Sequence, residues 1–571
     1  MFSHFNARPL ALATAAIVTF GCLAAQAAPD HSNHAKHVIL ISVDGLHQSD
    51  LETYVATHPG STLAMLVDQG ASYSDARTPF PSDSFPGLTA LVTGGNPRST
   101  GVYYDDSWNR ALLPPGTTDC AHATPGTEVT YFEALDLAPL AIDAGYGVGD
   151  ISTSTAIRQN IYKLPGHAVD LINAGALPVD ATTCQVMYPH SYLRVNTVFE
   201  VAKAHGLHTA WSDKHAAYDL VNGPSGTGVD DLFVPEINST IPADLVGDGA
   251  ADDDFTKDNL NTQFYDSLKV QAVLNWAAGD NHDGSTNSAG VPAIYGMNFQ
   301  SVSTAQKLNK SHFSGDAGTK GLGGYASAGT LPGSVVAGAL DFIDASMSRI
   351  VRAVNPHDTV IILTTKHGQS PLDRSQLRLI DDGEVINALN AAWMAKSGAT
   401  AALVAFGIDD DGMLLWLSDR SEHALQFARD FLWTYSPVQV GGSNADGSFH
   451  DYSGTVQHSG LSHIYAGEAA AEFIGVPRRD ARVPDVIGIA QVGTVYSSPT
   501  KIKKIAEHGG NAVNDRHVPI VVWGAGIHGT RSDDRVETTQ VAPTILKLLG
   551  LQARELKAVR VEETEALPGL N

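Results

Sequence analysis

The sequence predicts an α/β fold with a mixed or parallel central sheet that is flanked by helices on both faces. Apolar runs of strand length alternate with helical patterns along the chain, as expected when helices connect the strands of such a sheet. The run Val38–Val43 ends directly before Asp44, and Thr359–Thr365 ends directly before Lys366. Polar groups in these places lie at the carboxyl ends of buried strands, where open α/β sheets bind their ligands.

Five segments are predicted strands and three are predicted helices. The strands are Val38–Val43, His208–Trp211, Ala293–Met297, Thr359–Thr365 and Val518–Trp523. The helices are Leu193–Ala204, Gly333–Val354 and Thr538–Leu549, the last of which is stopped by Gly550.

The chain is predicted to form one large domain with an inserted cap. We assign residues 28–384 and 476–571 to the main domain. Residues 385–475 carry helix and strand patterns of their own, so we assign them to a cap subdomain. Residues 110–190 and 212–290 are rich in Gly, Asp, Asn and Thr, and we expect long loops and insertions there.

Residues 1–27 have the features of a signal peptide. Arg8 is the only formally charged side chain among them, Leu10–Ala25 is small and apolar, and Ala25-Gln26-Ala27 fits a cleavage site. We therefore expect an exported protein, periplasmic or secreted, whose mature chain starts near Ala28. No later segment is long and apolar enough to span a bilayer.

Export would place Cys120 and Cys184 in an oxidising compartment. Both lie in loop-like sequence, which favours a structural disulfide, although the sequence does not prove the pairing. Neither cysteine has the neighbours at the spacing that a zinc–thiolate site needs.

The charge balance excludes one class of partner. The chain of 571 residues has 36 Lys and Arg against 61 Asp and Glu, a net charge of −25. A nucleic-acid polymer needs clustered positive charge, so we exclude it as a partner. A small phosphorylated substrate is compatible with this balance, because a metal can neutralise its charge locally.

The segment Thr78–Gly94 (TPFPSDSFPGLTALVTG) predicts a loop with two serines and then a helix that opens at Phe85-Pro86. A hydroxyl at a helix N-terminus lies among free backbone N–H groups, which bind phosphate well. An ordinary capping serine leaves the same pattern, so this segment alone does not establish a site.

Two histidines stand beside glycines at the predicted rim of the sheet. His367 follows a buried strand directly and precedes Gly368, where a ligand has room to bind. His508 precedes Gly509-Gly510 and has a weaker positional argument.

The ordered motifs resemble the type I phosphodiesterase/nucleotide pyrophosphatase family of the alkaline phosphatase superfamily. They span roughly residues 36–110, 335–375 and 482–552. The motifs are ISVDGL, PSDSFPGLTALVTGGNPRSTG, TKHG, PDVIGIAQVGTVY, AEHGG and TTQVAPTILKLLGL. The resemblance implies an alkaline-phosphatase-like fold and hydrolysis of phosphoric esters.

The resemblance also implies roles for individual residues. Ser84, the residue directly before Phe-Pro, matches the family's nucleophile, and attack on phosphorus would give a phosphoserine. Asp44 and His367 match two ligands of the metal that activates this hydroxyl, and His508 matches a ligand of a second metal. The implied cofactor is one or two divalent ions, zinc first, with manganese as an alternative.

The chain departs from the family pattern at three places. Lys366 stands where the family has the aspartate of Asp-His-Gly. The polar residues Asn298, Gln300 and Thr304 stand where related enzymes have an Asp-x-x-x-His pair. Asp105 stands near the place of a phosphate-binding asparagine and is a candidate substrate contact.

These departures lead to a hypothesis about the metal site. We expect one metal at Asp44, Ser84 and His367, with the catalytic Lys366 supplying part of the second metal's charge. The alternative is that Lys366 pairs with Asp83 or Asp105 and that the site is impaired.

Asp213 and His215 follow a strand-like run that lies near the substrate in the family. They are candidate substrate contacts or replacement metal ligands, and a polar loop that caps a helix explains them equally well.

Three functions are consistent with the sequence. The first is a metal-dependent phosphodiesterase or pyrophosphatase that acts on a small phosphorylated substrate. The second is a phosphomonoesterase or sulfatase, although the sequence after Ser84 lacks the arginine of a sulfatase motif. The third is a non-catalytic, exported binding protein that keeps the fold with a degraded metal site.

Overall fold

The centre of the molecule is a mixed sheet of eight strands. The computed structural model describes residues 34–241, 244–245, 254–313 and 316–570. Across the sheet, the strands are Thr530–Glu537, Ala71–Arg77, His517–Gly524, Thr359–Thr364, His37–Val43, Ile294–Phe299, Ala210–Ser212 and Asp231–Phe233. His517–Gly524 runs antiparallel to both of its neighbours, and all other adjacent pairs are parallel.

Helices cover the sheet and build the main hydrophobic core with it. The strand His37–Val43 is apolar at most positions and is buried over its last six residues, because it lies between two parallel neighbours. The α-helices are Gln48–Thr57, Thr62–Gln69, Ser84–Thr93, Pro97–Thr100, Ser154–Asn160, Pro189–Tyr192, Val198–Ala204, Asn259–Ala277, Ser301–Lys307, Val335–Ala353, Asp382–Ser397, Glu422–Thr434, Glu468–Ile474, Val513–Arg516, Val541–Leu548 and Lys557–Glu562. The α/β fold class predicted from the sequence is thereby confirmed.

The stretch from Arg378 to Tyr496 contains two further four-stranded sheets and a hydrophobic core of its own. The predicted cap, residues 385–475, lies within this stretch. One sheet consists of Val404–Asp409, Gly412–Leu417, Val486–Ala490 and Leu461–Ala466. The other consists of Phe449–Asp451, Val440–Ser443, Arg378–Ile380 and Thr494–Tyr496.

Among the described residues, the remaining strands form three small antiparallel pairs. They are Asp106–Asn109 with Thr127–Thr130, Leu112–Leu113 with Val179–Asp180, and Lys310–Phe313 with Asp316–Leu322. Residues 110–190 otherwise contain short helical turns and loops, as the composition indicates.

The expectation of long loops in residues 212–290 is wrong where this range forms the central-sheet strand Asp231–Phe233 and one long helix. Asn259–Ala277 is a helix of 19 residues that packs against the sheet. Its buried residues include Asn261, Asp266 and Lys269, so no apolar stripe marks it in the sequence.

The disulfide between Cys120 and Cys184 is formed in the structure. It joins the loop after Leu113 to the turn after Asp180, so it ties together the two loops that flank one small strand pair. The predicted signal peptide, residues 1–27, lies outside the described residues. Within the described part of the chain, no helix has the length and apolarity needed to cross a membrane.

We predict that loss of this disulfide lowers thermal stability. The bond closes a loop with a sequence separation of 64 residues, for which chain entropy predicts roughly 4 kcal/mol. The double variant Cys120→Ser/Cys184→Ser should therefore melt at a lower temperature than the wild type in a calorimetric scan.

A reductant provides the matched control. Dithiothreitol should lower the melting temperature of the wild type towards that of the double variant and leave the double variant unchanged. Equal melting temperatures in all four samples would contradict a stabilising disulfide.

Candidate active site

Four neighbouring parallel strands deliver polar side chains to one edge of the central sheet. Across the sheet, these strands are Thr359–Thr364, His37–Val43, Ile294–Phe299 and Ala210–Ser212. Lys366 and His367 follow the first of these strands, Asp44 follows the second, and Gln300 follows the third. Asp213 and Lys214 follow the fourth. Because the strands are parallel, all of these residues lie at the carboxyl edge, where the sequence predicts the site.

Ser84 is the first residue of the helix Ser84–Thr93, one residue earlier than the predicted start. The carboxylate of Asp83 caps this helix by accepting a hydrogen bond from the N–H of Phe85 at 3.0 Å. Gly87 lets the helix approach the sheet closely, because a Cβ at this position would lie 2.1 Å from the carbonyl oxygen of Lys366. The packing of this helix therefore holds Ser84 beside the residues that follow Thr359–Thr364.

The hydroxyl of Ser84 lies among three functional groups. Its Oγ is 3.2 Å from His367 Nε2 and 3.5 Å from Asp44 Oδ2. His367 Nε2 is in turn 3.7 Å from Asp44 Oδ2. Lys214 donates a hydrogen bond to the same Ser84 Oγ at 3.2 Å. The three groups expected to converge from the sequence are thus within 3.7 Å of one another.

The imidazole of His367 is oriented as a proton acceptor towards Ser84. Its Nδ1 is 3.0 Å from the carbonyl oxygen of Gly368, so Nδ1 carries the proton and Nε2 keeps its lone pair. Burial lowers the pKa of His367, although the charge of Asp44 opposes this shift. The ring is therefore neutral at pH 7 and can accept the Ser84 proton.

The carboxylate of Asp44 is fully buried and strongly hydrogen-bonded through one oxygen. Its Oδ2 accepts from Gln300 Nε2 at 2.6 Å and from Asn298 Nδ2 at 3.1 Å. Burial by itself raises the pKa of Asp44. The charges of Lys366, His367 and Lys214 outweigh burial and hold this pKa well below its usual value.

Lys366 is a buried ammonium between two carboxylates. Its Nζ is 3.3 Å from Asp44 Oδ2 and 3.3 Å from Asp213 Oδ1, and its side chain is 0% exposed. It also donates a hydrogen bond to the hydroxyl of Tyr218 at 2.9 Å. Lys366 therefore pairs with Asp44 and Asp213. The alternative in which it pairs with Asp83 or Asp105 is wrong.

Asp213 as a substrate contact stays a prediction, which its surroundings do not favour. Asp213 is fully buried, and besides Lys366 it accepts a hydrogen bond from Trp211 Nε1 at 3.2 Å. Its carboxylate holds Lys366 in place rather than facing the cavity.

Lys214, Gln300 and Tyr218 belong to this site, and the sequence assigned no role to them. The signal for Lys214 was its position after the strand Ala210–Ser212, beside Asp213, which the sequence did single out. Gln300 follows the strand Ile294–Phe299 in the same way. Tyr218 lies in a short helical turn and has no such signal.

A cavity of about 910 Å³ opens beside this cluster. Ser84 itself is only 2% exposed, and its neighbours Lys214, Gln300 and His508 line the cavity. The other charged or acidic residues of the lining are Lys257, Lys307, Lys503, Lys504, Asp105, Glu133, Asp254, Asp410 and Glu507. The lining therefore holds five lysines and five carboxylates, and Lys257, Lys307 and Lys504 form ion pairs with Asp254 and Glu507 within it.

Asp105 and His215, both predicted to contact the substrate, lie in the wall of this cavity. His215 Nδ1 is 2.8 Å from Glu236 Oε2, and burial lowers the pKa of His215 to about 3. His215 therefore presents a neutral ring to the cavity at pH 7.

His508 packs against His367 with its ring tilted by 52°. Its ring centroid is 4.2 Å from that of His367, and its Nδ1 is 3.6 Å from Asp83 Oδ2. Burial holds the pKa of His508 well below its usual value, so this ring is also neutral at pH 7.

Two groups of His and carboxylate side chains are close enough to hold a cation. They are Glu133 with His215 and Glu236, and Asp410 with Glu507 and His508. In the second group, both oxygens of Glu507 already bind ammonium groups, since Lys307 lies 2.6 Å from Oε2 and Lys504 contacts Oε1. Of the predicted metal ligands, only His508 belongs to either group.

The residues around Asp44 do not fit the divalent cation that the resemblance implies. Asp44 Oδ2 receives two amide N–H donors and lies near two ammonium groups, Lys366 at 3.3 Å and Lys214 at 3.7 Å. The positive ends of these groups point towards the place of a cation and repel it. The sequence predicts that zinc or manganese binds to Asp44, Ser84, His367 and His508. This stays a prediction, and the donors around Asp44 Oδ2 do not favour it.

The comparison with protein families agrees with the resemblance. Residues 38–131 match the model of the family described as type I phosphodiesterase / nucleotide pyrophosphatase. The matched segment contains Asp44 and Ser84. No curated protein sequence matches the chain.

Solved structures share the fold. The wild-type alkaline phosphatase PafA superposes with a TM-score of 0.54 at 12% identity, covering 91% of this chain and 96% of that chain. The murine ectonucleotide pyrophosphatase/phosphodiesterase 5 superposes with a TM-score of 0.51 at 12% identity and the same coverage. An inactive form of the murine protein, in complex with AMP, gives a TM-score of 0.50 at 12% identity, again with coverage of 91% and 96%. The fold is therefore that of alkaline phosphatase-like proteins.

We predict that anion binding in the cavity weakens as the pH rises. Burial raises the pKa of Asp83 to about 6, and burial together with neighbouring acids raises the pKa of Asp105 and Asp410 to about 7. These carboxyls are neutral below these values and become negative above them, where they repel an anion. The affinity for sulfate, whose charge is constant in this range, should fall about tenfold or more between about pH 5.5 and 8.5, as measured by calorimetry.

Asparagine variants separate this effect from general pH sensitivity. Asp105→Asn should flatten the pH dependence, whereas Asp119→Asn, at an exposed position, should leave it unchanged. A sulfate affinity that rises with pH, or a slope that Asp105→Asn does not alter, would be inconsistent with this explanation.

Proposed function

We propose that this protein is a phosphoester hydrolase of the phosphodiesterase/nucleotide pyrophosphatase type, with Ser84 as its nucleophile. The match of residues 38–131 to that family and the shared fold support a hydrolase of phosphoric esters. One observation carries the assignment of Ser84. Its Oγ lies between a neutral imidazole nitrogen and an ammonium, each at 3.2 Å.

The first chemical step transfers the Ser84 proton to His367. Because Lys214 donates to Ser84 Oγ, the hydroxyl proton points to His367 Nε2, the nearer of its two acceptors. The imidazolium that forms lies 3.7 Å from Asp44 Oδ2, and this negative charge stabilises it. Ser84 Oγ then attacks phosphorus, the bond between phosphorus and the leaving-group oxygen breaks, and the imidazolium of His367 gives its proton to that oxygen.

Negative charge on the phosphoryl oxygens needs positive groups nearby. Lys214 has a side chain that is 14% exposed, so it can move from Ser84 Oγ to a bound phosphoryl oxygen. Ser84 opens a helix of ten residues, whose N-terminus favours negative charge. Together these groups stabilise the transition state.

The second step releases the phosphoryl group from Ser84. Water attacks the phosphoserine, and His367, neutral again, accepts a proton from this water. The bond between phosphorus and Ser84 Oγ breaks, and His367 passes this proton to Ser84 Oγ. No oxidant, reductant or further reactant is needed.

The charge around Ser84 favours a diester over a monoester. The carboxylates of Asp44 and Asp213 balance the ammonium groups of Lys214 and Lys366, so this cluster has no net charge. A singly charged diester needs less positive charge than a doubly charged monoester. We therefore propose a small, singly charged phosphoric diester as the substrate.

Two features support the proposed location of the protein. The predicted signal peptide and the disulfide Cys120–Cys184 both support an exported, periplasmic or secreted enzyme.

A non-catalytic anion-binding protein is the second candidate. Ser84 is only 2% exposed, and Lys214 lies between its hydroxyl and the cavity, which favours a bound anion over an attacked one. The two candidates differ in whether Ser84 ever becomes covalently modified.

We predict that Ser84→Ala abolishes hydrolysis of bis-p-nitrophenyl phosphate and leaves the melting temperature close to that of the wild type. The loss should be on the order of a thousandfold or more, because no other hydroxyl takes the place of the nucleophile. The wild type should also hydrolyse this diester faster than p-nitrophenyl phosphate.

Ser82→Ala is the matched control. Ser82 is the other serine of the segment, but its Oγ donates to the carbonyl oxygen of Asp515 and contacts Thr78 Oγ1, away from His367. This variant should retain turnover. Full activity of Ser84→Ala would exclude the proposed nucleophile, and no turnover of any ester by the wild type would favour the binding protein.

A further inference from the structure

The ammonium groups of Lys214 and Lys366 lie where positive charge is needed, beside the buried carboxylates and the nucleophile. Lys366 Nζ contacts Asp44 Oδ2 and Asp213 Oδ1, each at 3.3 Å, and its side chain is 0% exposed. Lys214 Nζ contacts Ser84 Oγ at 3.2 Å and lies 3.7 Å from Asp44 Oδ2. One ammonium therefore neutralises the carboxylates, and the other binds the nucleophile.

Each ammonium is held by further partners. Lys366 donates to Tyr218 OH at 2.9 Å and lies 4.6 Å from the centre of the Tyr218 ring. Lys214 donates to Gln300 Oε1 at 3.4 Å. These contacts hold both ammonium groups next to Asp44.

The donors around Asp44 crowd one of its two oxygens, Oδ2, whereas the buried Oδ1 has no hydrogen-bond partner. Gln300 Nε2 and Asn298 Nδ2 both donate to Oδ2, at 2.6 and 3.1 Å. An amide that donates here presents its positive end, whereas a metal ligand presents a lone pair. The side chains that replace the expected Asp-x-x-x-His pair thus act as donors to Asp44, not as ligands.

The charge balance leads to the same result. The two carboxylates of Asp44 and Asp213 are balanced by the two ammonium groups of Lys214 and Lys366. A divalent ion would add two positive charges to a buried cluster that is already balanced, which is costly in a low dielectric.

We propose that the ammonium groups of Lys214 and Lys366 replace divalent cations at this centre, so that Ser84 binds and attacks its phosphoryl substrate without a metal. This inference rests on the proposed function. Lys214 is a catalytic residue that stabilises charge on Ser84 and on the phosphoryl oxygens. Lys366 is a positioning residue that acts through Asp44.

The first experiment measures turnover and metal content together. Wild-type protein dialysed against EDTA should hydrolyse bis-p-nitrophenyl phosphate within about twofold of the undialysed rate, with less than a stoichiometric amount of divalent metal by mass spectrometry. Zinc or manganese should not increase this rate. A loss of Ser84-dependent turnover in EDTA that zinc restores would overturn the inference and leave the proposed function standing.

The second experiment removes the exposed ammonium. Lys214→Met should lower kcat about a hundredfold, the effect of losing one oxyanion donor, and Lys214→Arg should restore part of it. The matched control is Lys36→Met, an exposed lysine paired with Asp358, which should leave the rate unchanged. An unchanged kcat in Lys214→Met would exclude its catalytic role.

Anion binding provides a readout that does not depend on turnover. Tungstate, a tetrahedral oxyanion, should bind the wild type in EDTA, and Lys214→Met should weaken this binding about tenfold or more in calorimetry. If no ester is hydrolysed but this pattern holds, the proposed function fails and the replacement of the cations stands. If tungstate binds only when zinc is added, the replacement fails.

Lys366 requires a variant that keeps the fold. Lys366→Met leaves two buried carboxylates unpaired and is expected to unfold the site. The double variant Lys366→Met/Asp213→Asn removes one charge of each sign, and its folding is checked by its melting temperature. In the folded double variant, tungstate binding in EDTA should fall; unchanged binding and unchanged kcat would exclude Lys366 from the site.

Discussion

The buried carboxylate of Asp44 and its neutralisation determine how this site is built. Asp44 stands at the carboxyl end of a central strand, where water does not reach it. A carboxylate in such a place needs a positive partner, and the structure supplies Lys366 from the loop after the neighbouring strand Thr359–Thr364 and Lys214 from the loop after Ala210–Ser212, two strands away on the other side. Ser84 and His367 are arranged around the same oxygen, so the nucleophile and its base depend on how this charge is balanced.

Much of the fold could be predicted from the sequence, because its strands are buried on both faces. Val38–Val43 and Thr359–Thr365 are continuous apolar runs and form central strands with nearly the same bounds. Thr530–Glu537 (TRSDDRVE) is a polar strand at the sheet's edge, with one neighbour and several exposed residues, so no apolar run indicates it. No apolar pattern indicates the helix Asn259–Ala277 either, because it buries polar residues, among them the ion pair of Asp266 and Lys269.

The candidate site could be predicted only in part. The motifs identify Asp44, Ser84 and His367, because each stands directly after a strand or at the start of a helix. The sequence does not show that Gln300 and Lys214 point to the same carboxylate as Lys366, since this depends on the order of the strands. From the sequence, Lys366 could be identified only as the replacement of an expected carboxylate. The second ammonium, that of Lys214, could be identified only once the order of the strands was known.

The direct test of this account is whether a metal binds at Asp44. Crystals of the protein soaked in a zinc salt and measured at the zinc absorption edge locate every bound zinc ion. The account predicts no anomalous peak within coordination distance of Asp44, about 2–2.5 Å, and continuous density for the side chains of Lys214 and Lys366 beside its carboxylate. A strong peak bound by Asp44, Ser84 and His367, with the lysines displaced, would contradict it.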